Sequence, residues 1–194
     1  MNATDAGNEV TRLRLPAVRD ALAELTAGDA VLLSGPVFTA RDATHERLLE
    51  ALAEAGELPF GLAGATLFYA GPTPPAAGRP VGAVGPTTAS RMDDATPALL
   101  RAGIVATIGK GVRSGAVRDA CVETGSVYFA AVGGAAALLA THVVSSETVG
   151  WPELGTEALV RLELVDFPVF VAIDTRGGDL YAQARQDYLE EADR

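Results

Sequence analysis

Lys110, in the stretch ATIGKGVR, is the only lysine of a 194-residue chain whose other basic charges are all arginines. The two side chains differ in kind. Lysine is a compact, mobile point charge whose pKa shifts on burial, while arginine is a planar fork that stays protonated. A lysine kept between two glycines in so arginine-rich a background either marks a place where arginine would not work or is a chance survivor on a loop. Two further segments share its character, small residues at a turn beside one cation: GPVFTARDATH with Arg41 and GPTTASRMDD with Arg91. Arg91 can grip a carboxylate through two parallel hydrogen bonds, and Thr87 and Thr88 beside it supply hydroxyls. Hydroxyls are weak bases, so a catalytic threonine needs cationic neighbours or a metal to favour the alkoxide. Without that role Thr87, Thr88 and Ser90 are turn and cap residues, with Asp93 and Asp94 solvated. Arg41 falls in the first turn of a helix, where the dipole disfavours a cation unless an anion joins it; arginine is also a good helix former on any surface. Taken together, the three segments suit a small anion held within reach of a hydroxyl.

The bulk composition sharpens that inference. Forty-eight per cent of the residues are hydrophobic and 21% charged, enough to bury a core, and the net charge of −10 repels nucleic acid and anionic membranes. An acidic protein with an anionic ligand must gather its few cations locally. The polar start MNATDAGNEVTRLRLP has no apolar signal segment, and no run approaches the roughly 18 apolar residues of a membrane span. One cysteine, Cys121, excludes an internal disulfide framework and fits a reducing cytoplasm. With two histidines besides, His45 and His142, the chain lacks the ligands for a zinc or iron–sulfur site of its own. Cys121 reads as a buried small hydrophobe on a helix. His45, one turn beyond Arg41, either orients it, lines a pocket or packs structurally; His142 reads as structural. No Walker loop, dinucleotide fingerprint or serine elbow is present.

The elements that must position these residues follow from pattern. TRLRLP suits a short strand, AVRDALAELTAGDA a helix closed by Gly28, and AVLLSG a buried strand after which the chain turns. Thr39 and Asp42 fit a capping box for a helix striped by Leu48, Leu49 and Leu52 and ended by Gly56. ATLFYAGP and IVATIG suit strands, and TPPAAGRPVGAVG, carrying Arg79, a loop. DDATPALLRAG suits a helix with Thr96 as N-cap. SGAVRDACVETG is helical, SVYFAAVGG a strand, and AAALLATHVV a helix or a tight loop. The final third suits two β-segments bent at Pro168 and a turn at Gly177-Gly178. Strands alternate with helices and then gather, so the chain is α/β with a mixed sheet. One domain is expected over residues 12–185, with loose tails at 1–11 and 186–194.

The blocks GPVFTARDATH, YAGPTP, GPTTASRMD, IGKG, DACVETGSVYFAAVGGAAALLA and VDFPVFVAIDTRGGDLY resemble, in order and spacing, those of class I fumarases. The likeness is to their C-terminal domain, or to the separate β subunit of two-chain fumarases and L-tartrate dehydratases. It covers residues 12 to 182 or so. It implies a swivelling β/β/α domain with a mixed sheet flanked by helices, and a hydro-lyase that adds water to, or removes it from, a small dicarboxylate or 2-hydroxy acid. It implies a 4Fe-4S cluster carried by a partner α subunit, with no metal bound by this chain, and it leaves the isolated chain as monomer or homodimer. By matched position Thr87 is the proposed base and Lys110 contacts substrate in catalysis, while Arg41, Thr88 and Arg91 bind substrate. Three cations would then face two substrate carboxylates. Ser90 departs from the glycine of many members, and the resemblance assigns no role to Arg79. The same fold as a non-catalytic dicarboxylate-binding module is the other reading, which would have no use for Thr87 as base.

Overall fold

The computed structural model describes residues 10–192. Its centre is one sheet of seven strands: β1 (Thr11–Arg14), β2 (Ala30–Thr39), β3 (Thr66–Phe68), β4 (Ala106–Gly109), β5 (Val127–Ala130), β6 (Val143–Gly150) and β7 (Leu159–Ile173). β1 to β5 run parallel, and β7 runs antiparallel to β2, β5 and β6. Because β7 pairs with both β2 and β5, the strands β2-β3-β4-β5-β7 close into a five-stranded barrel, with β1 and β6 as appendages. The helices are α1 (Arg19–Ala23), α2 (Asp42–Ala55), α3 (Thr96–Arg101), α4 (Gly115–Thr124), α5 (Ala136–Leu139) and α6 (Leu180–Ala192). Among the described residues none is long and apolar enough to cross a membrane.

Period-two alternation divides the core. Val31, Leu33 and Val37 of β2, Phe68 of β3, Ile108 of β4, Phe129 of β5 and Phe167 of β7 fill the barrel. Leu67 and Tyr128 project the other way, as does Tyr69 just beyond β3, and they pack under Leu48 of α2, Leu99 of α3 and Val117 of α4. Strands buried on both faces read as continuous apolar runs, which is the character of ATLFYA and SVYFAA. Each large apolar side chain so buried contributes about 1.5–3 kcal/mol.

β7 stays continuous where a bend at Pro168 was expected. Leu162 and Leu164 point inward before Asp166, and Phe167, Val169 and Val171 point inward after it, so the parity changes by one. A bulge supplies the extra residue: Leu33 faces Phe167 while Gly35 faces Leu164, and Asp166 takes φ +48°. Pro168, with no N–H to donate, lies between the stretches of β7 that pair with β6 and β5. β2 likewise runs straight through Gly35-Pro36, where the sequence suggested a turn. The segment after Gly178 is helix α6, which crosses the boundary expected at residue 185. Residues 1–9 and 193–194 of the expected tails lie outside the described residues.

Two expected caps are absent. Thr39 is buried in β2 and donates to the Ala158 carbonyl, leaving Arg41 as N-cap residue of α2. Thr96 is already helical, and its hydroxyl donates to the Met92 carbonyl. The Thr39 hydroxyl thus serves a tertiary partner, and that of Thr96 serves the preceding turn and accepts from Arg113, so neither caps its own helix. Gly56 ends α2 in the left-handed conformation, its N–H on the Leu52 carbonyl, as the pattern required.

Candidate functional site

Parallel strands bring their carboxyl ends to one rim, and the singled-out residues lie along it. Arg41 follows β2, Tyr69 to Gly71 follow β3, Lys110 follows β4, and Ala131 to Gly133 follow β5. The segment Thr87 to Ala89 is laid against the rim by main-chain bonds. The Thr87 N–H donates to the Tyr69 carbonyl (2.6 Å), the Lys110 N–H to the Thr87 carbonyl (3.2 Å), and the Ala89 N–H to the Lys110 carbonyl (2.9 Å). Thr87, Thr88 and Lys110, 22 to 23 positions apart in sequence, are therefore neighbours joined by a short parallel bridge.

The glycines around Lys110 explain how the approach is so close. A Cβ on Gly109 would stand 2.9 Å from the Ala89 Cβ, so a larger residue would push the threonine segment off the rim. Gly111 has φ +85°, a left-handed turn that suits glycine. The lysine stem passes over Gly133, with Cδ 3.2 Å from where a Cβ would be.

The arginines are held differently. The Arg41 Nη2 lies 3.2 Å from Glu157 and 3.9 Å from Asp42. Arg91 grips Asp42 with two bonds, Nε to Oδ1 at 3.0 Å and Nη2 to Oδ2 at 2.7 Å. Glu157 also accepts the Ala43 N–H at 2.9 Å, so this distant carboxylate caps the start of α2. The anion demanded by Arg41 at a helix N-terminus is thus supplied in part by the protein itself. Sequence reasoning counted three cations and missed these two carboxylates, because Glu157 is 116 residues from Arg41. Among the described residues Lys110 forms no ion pair, in contrast to both arginines.

His45 secures Arg41 through its backbone. Its Nδ1 donates to the Arg41 carbonyl at 2.8 Å, which fixes the proton on that nitrogen. Its ring is buried edge-on to Tyr69, and burial pushes its pKa down to about 4. Among the described residues the Nε2 atom and the Arg41 Nε, both buried, have no partner. A pocket of about 240 Å³ opens beside His45, lined by Asp42, Glu46, Leu49, Arg91 and Asp94 among others. Thr88 is exposed at the rim.

Arg113 was not singled out by the sequence, yet it ties the two loops together. Its side chain is fully buried, with Nε 2.6 Å from Asp93 and Nη2 2.7 Å from the Thr96 hydroxyl. The guanidinium lies 5.2 Å from the Tyr69 ring centroid and 4.9 Å from that of Tyr128. Asp93 also accepts the Ser114 N–H at 2.6 Å, so it is a partly buried junction rather than a freely solvated acid. The GPTTASRMDD block and the IGKGVR block are one unit. A three-residue spacing from Lys110 to Arg113, following a double aspartate, was the available signal.

Cys121 lies buried on α4, and burial pushes its thiol up to about 12, so it is a poor thiolate ligand. Among the described residues no group of three histidines, cysteines or carboxylates is arranged to hold a metal ion. Arg79 sits in an exposed turn of the proline-rich loop, with its N–H on the Ala76 carbonyl, and contributes nothing to the rim.

Comparison with known proteins gives these residues a context. The family described as Fumarase C-terminus matches residues 2–184. Fumarate hydratase 2 of Leishmania major is 37% identical over 168 residues, 86% of this chain and 30% of that protein. The anaerobic class I fumarate hydratase of Escherichia coli (strain K12) is 38% identical over 164 residues, 84% of this chain and 30% of that enzyme. The L(+)-tartrate dehydratase subunit beta of the same strain is 32% identical over 186 residues, 93% of this chain and 91% of that subunit. The chain thus spans about 30% of the fumarate hydratases but nearly all of the tartrate dehydratase subunit.

Proposed function

The chain belongs to the fumarase C-terminus family, and from that premise we propose that it is the β subunit of an iron–sulfur-dependent hydro-lyase acting on a small dicarboxylate or 2-hydroxy acid in the cytoplasm. Its near full-length match to a subunit named beta supports a separate α chain as partner. We place the fold in the swivelling β/β/α class, in which this domain forms one wall of the active site. The cluster is assigned to the partner in this reading; the burial of Cys121, which pushes its thiol pKa up and makes it a poor thiolate ligand, supports that division.

This chain's own residues bind, orient and move a proton. Arg41, Arg91 and Thr88 receive the carboxylates, and Lys110 approaches one of them at close range. In dehydration the Thr87 oxygen, as alkoxide, takes the proton from the carbon next to the one bearing the hydroxyl. The C–H electron pair becomes the new double bond as hydroxide departs; hydration reverses each transfer. Charge that builds on the substrate carboxylate is met by cations already in place, which is the strongest form of electrostatic catalysis. A neighbouring ammonium also lowers the cost of the threonine alkoxide. The observation that carries this reading is the main-chain pairing of the Thr87–Thr88 segment with Lys110, which makes two hydroxyl-bearing residues neighbours of a cation that forms no ion pair among the described residues.

Anaerobic capture of the tagged chain from its host tests the proposal. A co-purifying larger chain with three cluster cysteines, a brown colour and turnover of fumarate or tartrate is the expected result. A chain that emerges alone, colourless and inactive would favour the non-catalytic binding module instead.

A further inference from the structure

The block IDTRGGDLY lies outside the rim, yet the structure gives it a task there. Asp174, beyond β7, accepts the N–H groups of Ala27 (3.0 Å), Arg176 (2.8 Å) and Gly178 (2.9 Å), which folds the turn tightly. Asp179 then accepts from Tyr181 (2.9 Å) and Ala182 (3.1 Å), starting α6. The result aims Tyr181 back at the barrel, where its ring packs against the apolar layer under the helices. Its hydroxyl accepts the Gly111 N–H at 3.2 Å. The Gly111 carbonyl in turn accepts the Tyr128 hydroxyl at 2.9 Å.

Four consecutive main-chain groups are therefore fixed. The N–H and C=O of Lys110 belong to the threonine segment, and the N–H and C=O of Gly111 belong to two tyrosines. We propose that Tyr181 is a positioning residue, whose hydroxyl holds the Gly111 turn and so fixes where the Lys110 side chain leaves the rim. This rests on the reading of Lys110 as a substrate contact. Gly111 sits in the left-handed region and has no side chain of its own to anchor the turn, so its conformation depends on those main-chain bonds. Tyr128 secures only its carbonyl.

Tyr181→Phe removes the hydroxyl and keeps the packed ring. In the full chain with its α subunit, the expected result is a loss of about 10- to 100-fold in kcat/KM, the scale on which small misplacements of a binding group act. Thermal stability should be unchanged within roughly 2 °C, and the Gly111 amide should exchange faster with deuterated solvent. In a Lys110→Ala background the same change should cost less than about twofold, because a residue acting through Lys110 has nothing left to position. Full activity in Tyr181→Phe, unaltered Gly111 exchange, or an undiminished loss in the Lys110→Ala background would each overturn the proposal. If the unmodified two-chain enzyme turned over no dicarboxylate, the functional reading would fail. Gly111 exchange in the isolated full chain would then still decide the clamp, faster supporting it and unchanged refuting it.

Discussion

The two sides of the rim position their charged groups by opposite means. On the Thr87–Lys110 side the main chain sets the geometry: three backbone hydrogen bonds fix the strand and the turn, and the lysine itself is unpaired among the described residues. On the Arg41–Arg91 side the side chains set it, through Asp42 and Glu157, on groups that are a quarter to a half exposed. The main chain thus fixes where the lysine side chain departs, and with no ion pair among the described residues its charge does not have to be shared with a protein carboxylate. The arginine pair is prearranged at the cost of competition, since a carboxylate ligand must displace or share the protein's own. The chemistry belongs on the first side and adjustable binding on the second.

Arg113 joins the two, and its loss would blur the comparison most. Removing one partner of a buried ion pair costs about 3–5 kcal/mol, so Arg113→Ala should lower Tm by roughly 10 °C and cut turnover with it. A calorimetric scan that moved by less than a few degrees would show that the loops hold without it. Lys110→Arg should then cost about 100-fold in kcat/KM, because the bulkier fork cannot take the path of the lysine stem over Gly133. Near-normal kinetics would mean that charge alone matters on the backbone side.

Acid should weaken the arginine side before the other. His45 is buried neutral with a pKa of about 4, against 6.5 in the unfolded chain. As pH falls below 6.5 the unfolded chain takes up a proton that the fold refuses until about 4. Stability should therefore decline across that window by up to about 1.4 kcal/mol per pH unit. Denaturant titrations at pH 7, 6 and 5 measure the slope, and His45→Gln should flatten it. The smallest effect is expected at Asp42. Asp42→Asn frees Arg91 and removes a like charge, so dicarboxylate binding should tighten by about three- to tenfold. Weaker binding would show that Asp42 holds Arg91 in its binding pose rather than competing for it.

The sequence makes one side of this rim far more legible than the other. Glycine-flanked Lys110 and the Thr87 turn are local patterns, and the parallel strands that align them follow from apolar runs separated by helices. Asp42 and Glu157 escape because a tertiary ion pair leaves no mark on local spacing. The same holds for caps: Thr39 and Thr96 carry the right residue type, but packing against β7 and Arg113 claims their hydroxyls instead. The bulge at Asp166 is visible only afterwards, in the shift of apolar parity from Leu164 to Phe167. α6 was hidden by its composition, since it is mostly exposed and lacks a strong apolar stripe.

Thr87→Ala in the reconstituted two-chain enzyme bears most directly on the assignment of chemistry to the backbone-held side. Turnover of the native dicarboxylate should fall about a thousandfold, as loss of a general base does, while the dissociation constant measured by calorimetry stays within about threefold. Unchanged turnover would remove Thr87 from the mechanism, and a matching collapse in binding would make it a ligand-gripping residue instead.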